Sequence, residues 1–268
     1  MRTSDVTPLI ETDAALRILT CVDKMNTPRD APSSSFHTTR WSLVLSAGQR
    51  TGPESRAALA LLCEVYWYPL YAYIRRQVAS ADAAQDTTQE FFVHILDKNV
   101  LARASRERGR FRAFLLASLK NFLANVHDQA SAQKRGGGRR ALSLDWRNAE
   151  SRVNLHPLDR HTAERWFEHD WAVTLLERSL AALREEFESA GKASHFAALQ
   201  ASLARDGTSV CYTAIADQLD ISEAAARQAV HRLRRRYREL LRSEIAQTVA
   251  DPAEIDDEIR SLFVAVGS

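Results

Sequence analysis

The sequence is poor in the residues that mark several common classes of protein. Its 268 residues include only three cysteines, Cys21, Cys63 and Cys211, which are far apart and form no CxxC or Cys/His ligand spacing. This spacing argues against a disulfide framework and against a structural zinc site. A strong charge of one sign is also missing, because the formal net charge is +2. Any affinity for nucleic acid must therefore come from local clusters of charge.

Long apolar runs are missing as well. The most apolar stretch, residues 57–74, contains Glu64, Pro69 and several tyrosines, and two core helices explain it better than a membrane span. Acidic and basic side chains are scattered through the first 24 residues, which is unlike a secretory signal peptide. The sequence therefore predicts a cytoplasmic protein without membrane insertion.

Motifs of catalysis are not found. His156, His161 and His169 have a spacing that fits no helical metal pair, and the chain contains no GxSxG elbow. The glycine run at 136–138 lies between helical patterns and lacks the GKS/T ending of a phosphate-binding loop. We expect neither enzymatic activity nor a cofactor or metal.

Helical periodicity is present along most of the chain, and no region shows the alternation of a β-strand. The clearest case is "GRFRAFLLASLKNFLANVHDQ", whose apolar positions from Phe111 to Val126 recur at helical spacing over four turns. Three consecutive glycines flanked by basic residues interrupt this pattern at "QKRGGGRR". The sequence predicts an all-α protein of two helical domains joined by a linker.

The predicted division of the chain follows these breaks. Residues 1–35 end in a Pro/Ser-rich run and are predicted to be a disordered leader, and the acidic pattern at the C-terminus predicts one amphipathic helix. The predicted segments are a leader at 1–35, a first domain at 36–135, a linker at 136–170, a second domain at 171–250 and a tail helix at 251–268.

The second domain contains "TAIADQLDISEAAARQAVHRLRRRYREL", a pattern typical of a helix-turn-helix. Ile215, Ala216 and Leu219 form the buried side of the first helix, the backbone at Asp220 is expected to be left-handed, and Ser222 caps the second helix. The second helix buries Ala226, Val230, Leu233, Tyr237 and Leu240 or Leu241. The residues expected to point outward are then Arg227, Gln228, His231, Arg234, Arg235 and Arg238. The helix is basic as a whole, with seven arginines between Ser222 and Arg242 against two glutamates. A solvated basic helix in an ordinary bundle is the alternative.

Four stretches together resemble the sigma factors of bacterial transcription initiation, specifically the extracytoplasmic-function (ECF) group. They are "YWYPLYAYIRR", "DAAQDTTQEFF", "FRAFLLASLKNFLANV" and "YTAIADQLDISEAAARQAVHRLRRRYREL", and they occur in the order of that family. The resemblance covers about residues 36–135 and 171–245. It implies that the first domain is similar to sigma region 2 and the second domain to sigma region 4, with core RNA polymerase and promoter DNA as partners.

The resemblance implies two sites in the first domain. The helix "DAAQDTTQEFF" would bind core polymerase through an outward acidic and amide face, while Phe91 and Phe92 pack inward. The next helix and the loop before it would hold one strand of melted promoter DNA with cationic and amide groups. The docking residues are Asp82, Asp86, Gln89, Glu90 and Val93, and the strand-binding residues are Arg110, Arg112, Lys120, Asn121 and Asn125.

The helix that begins at Glu223 would read the upstream promoter element. Arg227, Gln228, His231 and Arg232 are expected near base edges or adjacent phosphates, and Arg235 and Arg238 on the DNA backbone. Ser222, which caps the start of this helix, is expected to belong to the same site.

Two alternatives stay open on the sequence. A helix-turn-helix regulator whose N-terminal domain binds a ligand or a second subunit, and which need not bind core polymerase, explains the arginines equally well but leaves the outward acidic helix without a purpose. An anti-sigma or other inhibitory protein is a further candidate partner. The tail at 251–268 either folds back over the second domain or holds such a partner.

Overall fold

The computed structural model describes residues 53–97, 100–103, 110–130, 144–154, 162–205, 209–246, 249 and 251–267. Every regular element in these residues is helical, as predicted, and they contain no β-strand. The predicted leader at 1–35 and the glycine break at 136–138 lie outside the described residues.

The described part of the chain contains nine α-helices. They are α1 Pro53–Arg75, α2 Ala81–Asp97, α3 Phe111–Ala130, α4 Trp146–Asn154, α5 Ala163–Ser189, α6 Ala193–Leu199, α7 Tyr212–Leu219, α8 Glu223–Ala246 and α9 Ile255–Gly267. Short 3₁₀ turns occur at Val100–Arg103, Gln200–Ser202 and Pro252–Glu254.

The chain divides into two compact units. The first contains the described residues of 36–171 and 247–252, and the second contains those of 172–246 and 253–268. The division falls within the long helix α5. Among the helices of the described residues, none has the length and apolar character that crossing a membrane requires.

In the first unit, α1 packs against α2. The sequence predicted two core helices here, with the helix restarting or kinking at Pro69. The structure has one helix, α1, with Pro69 in its interior, so the helix does not restart there. Tyr66, Leu70 and Ile74 are fully buried on both sides of this proline. Because several large side chains are buried along the same helix, the loss of one backbone hydrogen bond at proline is tolerated.

The apolar stripes of α2 and α3 face the core of this unit as predicted. Phe91, Phe92 and Ile95 are buried on α2, and Phe111, Leu115, Leu119 and Phe122 are buried on α3. The rings of Phe91 and Phe122 lie 5.5 Å apart between centroids. The side chain of Leu96 lies outside the described residues.

The segment predicted as a linker, 136–170, is not a simple connection where the structure describes it. Residues 146–154 form α4, residues 163–170 begin α5, and both belong to the first unit. Helix α5 therefore begins at Ala163, which is eight residues before Trp171, the predicted start of the second domain. Thr162 precedes its first turn, and the Thr162 hydroxyl oxygen accepts a hydrogen bond from the Arg165 N–H at 3.3 Å.

Two acidic residues of this segment pair with arginines of α1. Glu150 accepts hydrogen bonds from the Tyr71 hydroxyl at 2.6 Å and from Arg75 Nε at 3.0 Å. Asp170 lies 3.1 Å from Arg76 Nη1, and the two side chains are only 2% and 4% exposed. The spacing of apolar residues does not reveal charged side chains that pack into a core through ion pairs. For this reason the sequence indicated a linker here.

The second unit is built on the later turns of α5 together with α6, α7, α8 and α9. Leu175, Leu176, Ser179 and Leu183 are buried on α5. The buried hydroxyl of Tyr237 on α8 donates a hydrogen bond to the Leu176 carbonyl at 3.1 Å. This bond satisfies the polar end of an otherwise apolar side chain.

The tail forms the predicted amphipathic helix, α9, and it packs against α8. Ile255, Ile259, Leu262 and Val266 are its buried side. At its start, Asp256 Oδ1 lies 2.5 Å from Arg242 Nη1. Of the two alternatives for the tail, the structure has it folded back within the second unit.

The buried pair between Arg76 and Asp170 generates a prediction about stability. Asp170→Ala leaves the Arg76 guanidinium buried without its carboxylate, and we expect the free energy of unfolding to fall by about 3–5 kcal/mol. Urea denaturation measures this change. The exposed Glu185 supplies a control, since Glu185→Ala is expected to change stability by less than about 0.5 kcal/mol.

A double replacement separates lost pairing from lost packing. Arg76→Met with Asp170→Leu removes both charges and is expected to restore most of the lost stability. A loss below about 1 kcal/mol in the single variant would contradict the assignment of this pair as a core interaction.

Candidate nucleic-acid interface

Helices α7 and α8 are joined by a turn of three residues, Asp220, Ile221 and Ser222. Asp220 has φ 53° and ψ 50°, the left-handed conformation expected from the sequence, and it is the one non-glycine residue with positive φ in the described chain. The Ile221 N–H donates to the Ala216 carbonyl at 3.0 Å, which closes the end of α7. Aspartate tolerates this conformation better than most residues, so the turn forms without glycine.

Ser222 caps the start of α8, as predicted. Its hydroxyl oxygen accepts a hydrogen bond from the Ala225 N–H at 3.2 Å, which satisfies one of the free donors at the start of the helix. The side chain is exposed.

The buried side of α8 fixes which of its residues face solvent. Ala226, Val230, Leu233, Tyr237, Leu241 and Ile245 are buried, and Leu241 rather than Leu240 continues the stripe. Burial of this stripe leaves the basic positions outside.

The predicted duplex-reading residues are mostly on this outer side. Exposed side chains are Ser222, Arg227, Gln228, His231, Arg232 and Arg235, while Arg238 is half-buried. Arg235 Nε lies 3.6 Å from Glu239 Oε1, and both side chains are at least half exposed, so water screens this pair. The face is therefore cationic over nearly three turns.

Two other arginines of α8 have structural contacts. Arg234 was predicted to face outward, but it is half-buried, and its Nη2 donates to the carbonyls of Ser202 and Arg205 at 2.7 Å and 2.6 Å. Ser202 is the last residue of the 3₁₀ turn after α6 and Arg205 lies three residues further on, where the helical hydrogen bonds end. Arg236 binds Glu186 through Nη2 at 2.6 Å, and this hydrogen bond lowers the pKa of Glu186.

The strand-binding residues predicted on α3 are not all at the surface. Arg112 was expected on the solvent side, but its side chain is 5% exposed. Its Nε lies 2.5 Å from Glu168 Oε2, and its guanidinium carbon lies 4.2 Å from the centre of the Trp171 ring. The first turns of α5 supply both partners, and burial lowers the pKa of Arg112. Arg112 is therefore a core residue.

The other strand-binding candidates keep contact with solvent. Asn121 and Asn125 are exposed, and Arg110 is half-buried. Lys120 is 46% exposed, and its Nζ lies 2.7 Å from Glu164 Oε1. This hydrogen bond raises the pKa of Lys120 and lowers that of Glu164. Two amide groups and one lysine paired with a glutamate thus make up most of this face.

The predicted docking residues lie on the outer side of α2. Asp82, Asp86 and Glu90 are exposed, and Gln89 and Val93 are half-buried. Phe91 and Phe92 face inward, as predicted. Ser80 precedes the helix, and its hydroxyl oxygen accepts a hydrogen bond from the Ala83 N–H at 3.2 Å. The carboxylates form a protruding acidic edge on a rigid element.

Sequence reasoning missed two residues of this interface. Tyr212, at the start of α7, has its ring centre 4.4 Å from the guanidinium carbon of Arg227. Glu223, at the start of α8, has its Oε1 atom 2.5 Å from Arg227 Nη2. The i, i+4 spacing of Glu223 and Arg227 was visible in the sequence, whereas the contact with Tyr212 depends on how α7 and α8 cross.

Comparison with protein-family models, curated proteins and solved structures gave no match to this chain. The geometry of the described residues is therefore the basis for a functional proposal.

The different environments of neighbouring arginines predict different effects on stability. Arg234→Ala removes two charge-assisted hydrogen bonds to helix-end carbonyls, and we expect the free energy of unfolding to fall by about 2 kcal/mol. Arg232→Ala changes an exposed side chain and is expected to alter stability by less than about 0.5 kcal/mol. Urea denaturation of both variants makes the comparison, and equal losses would contradict the structural role of Arg234.

Proposed function

We propose that this chain is an alternative sigma factor, similar to the ECF group, that binds core RNA polymerase and directs promoter recognition and transcription initiation. The observation that carries the proposal is the exposed cationic face of α8, which follows a short helix and a left-handed turn. A helix presented in this way suits the major groove of duplex DNA. The protein would act in the bacterial cytoplasm, where transcription takes place.

The first turns of α8 would read the upstream promoter element. Arg227, Gln228, His231 and Arg232 are exposed there and carry donors that suit guanine, adenine or adjacent phosphates. Arg235 and Arg238 follow along the same helix and would contact the DNA backbone. Phosphate contacts set position, and base contacts set sequence preference.

The acidic face of α2 would bind core polymerase. Asp82, Asp86 and Glu90 are exposed on one helix, with Gln89 and Val93 beside them. Such a face suits a basic helical arm of the partner. Complementary charge then determines the choice of partner and its alignment more than it adds to affinity. The alternative is a helix-turn-helix regulator whose N-terminal domain binds a ligand or a second subunit, and binding to core polymerase separates the two.

A smaller set of residues supports a role in promoter opening. Asn121 and Asn125 are exposed on α3, and Lys120 and Arg110 have partial exposure. Because Arg112 is buried against Trp171 and Glu168, it is not part of the proposed strand-binding site. An inhibitory protein of the anti-sigma kind remains a candidate partner.

Reversing the charge of the docking face is expected to weaken core binding. Asp86→Arg with Glu90→Arg places cations opposite a basic arm, and we expect core polymerase to bind roughly tenfold more weakly or worse. A pull-down with purified core polymerase, followed by transcription in vitro from a promoter mapped after overproduction, measures the effect.

The control carries the same change of charge at another place. Glu185 and Glu188 are exposed on α5 in the second unit, and Glu185→Arg with Glu188→Arg is expected to leave core binding unchanged. A wild-type chain that binds promoter DNA but neither binds core nor starts transcription would favour the DNA-binding regulator.

Arg227→Ala is expected to change promoter preference rather than affinity alone. Loss of a bidentate contact with guanine costs about 1–3 kcal/mol of discrimination at one base pair. Binding to a panel of duplexes, each with one base pair changed, locates that position. Arg235→Ala is the comparison, since loss of a phosphate contact weakens binding to all duplexes alike. It also reduces the salt slope, the slope of the logarithm of the binding constant against the logarithm of the salt concentration, by about one. A uniform loss in the Arg227 variant would reassign Arg227 to phosphate.

A further inference from the structure

Arg227 is held by residues from both helices of the pair. Its side chain is 60% exposed, which leaves it accessible to DNA. Tyr212 is the first residue of α7, and its ring centre lies 4.4 Å from the guanidinium carbon. Glu223 is the first residue of α8, and its Oε1 lies 2.5 Å from Nη2. The guanidinium therefore has one aromatic and one anionic contact.

These contacts restrict a side chain that is otherwise very flexible. An arginine that binds a base edge loses rotamer freedom, which costs up to about 2 kcal/mol when the side chain starts unrestrained. A guanidinium above an aromatic face keeps its N–H donors at its edge, where an acceptor can reach them. Glu223 accepts one N–H of Nη2, so the N–H donors of Nε and Nη1 are left for another acceptor.

The later arginine of the same face has a different setting. Arg235 is 64% exposed, and it forms an ion pair with Glu239 of its own helix at a longer distance of 3.6 Å. A contact from a second helix defines a position in three dimensions, whereas an i, i+4 pair within one helix leaves the far end of the side chain more freedom. In Arg227 the contact with Tyr212 of α7 adds such a restraint from a second helix.

We propose that Tyr212 and Glu223 are positioning residues that orient Arg227 toward one guanine in the major groove and thereby determine specificity at that base pair. The inference rests on the proposed reading of duplex DNA by α8. Tyr212 contributes the ring that supports the guanidinium, and Glu223 contributes the carboxylate that fixes its rotation.

Glu223 has a second effect on the choice between base and phosphate. A carboxylate beside the guanidinium is repelled by the DNA backbone, so the pair as a whole is disfavoured next to a phosphate. The O6 and N7 acceptors of guanine carry no full charge and tolerate the carboxylate better. Glu223 therefore directs Arg227 away from sequence-independent contact.

The test uses the full chain and duplexes carrying the mapped promoter, with each base pair changed in turn. Tyr212→Leu is expected to reduce discrimination roughly two- to fivefold at the base pair read by Arg227, the range for an exposed cation–aromatic contact. Its salt slope and its affinity for random duplex are expected to stay unchanged, because tyrosine is neutral. Tyr212→Phe keeps the ring and is expected to restore discrimination.

Glu223→Gln supplies an independent measurement. The change removes the repelling carboxylate, and we expect tighter binding to random duplex, a salt slope steeper by about one, and weaker discrimination at the same base pair. Combining Tyr212→Leu with Arg227→Ala is expected to cause no further loss of discrimination at that position, since the ring acts only through the arginine.

Several results would overturn the inference. Equal loss at every base pair, failure of Tyr212→Phe to restore discrimination, or additive losses in the double variant would each assign Tyr212 to general support of the fold. If Arg227→Ala changes base preference while the Tyr212 and Glu223 variants do not, this inference fails and the proposed function stands. If the wild-type chain shows no sequence preference on duplex DNA, both fail. Thermal unfolding of each variant confirms that the helices are retained.

Discussion

Burial of the apolar stripe of α8 is the constraint on which the candidate DNA surface depends. Ala226, Val230 and Leu233 are almost completely buried, and Tyr237 adds a hydrogen bond to the Leu176 carbonyl. Rotation of α8 about its axis would expose this stripe and bury charged side chains, both at a cost in free energy. The arginines on the outer side are therefore displayed by packing, although they repel one another.

The arginines of α8 differ in where their partners lie. Arg234 binds helix-end carbonyls and Arg236 binds Glu186, so these two connect α8 to other parts of the second unit. Arg227, Arg232 and Arg235 are exposed on the candidate DNA face, and the carboxylates beside Arg227 and Arg235 belong to Glu223 and Glu239 of α8 itself. A count of positive charge along the helix therefore overestimates the charge available to a phosphate backbone.

The first unit shows a related effect with acidic residues. Glu150, Glu168 and Asp170 come from a segment that is rich in charge, and they pair with Arg75, Arg112 and Arg76. Together with the buried rings of Trp166, Phe167 and Trp171, these pairs make α4 and the start of α5 part of the core of this unit. The same pairing removes Arg112 from the candidate strand-binding face.

The sequence by itself determined the all-α class, the buried stripes of α2, α3 and α8, the left-handed turn at Asp220 and the cap at Ser222. Each of these depends on local spacing or on the conformational preference of one residue. Only the tertiary structure decided that residues 146–154 and 163–170 belong to the first unit, that Arg112 and Arg234 are structural, and that Tyr212 supports Arg227. The partners of Arg234 and Arg112 lie 29 or more residues away in the sequence, and the aromatic partner of Arg227 lies on another helix. The spacing of residues within one helix carries no information about such partners.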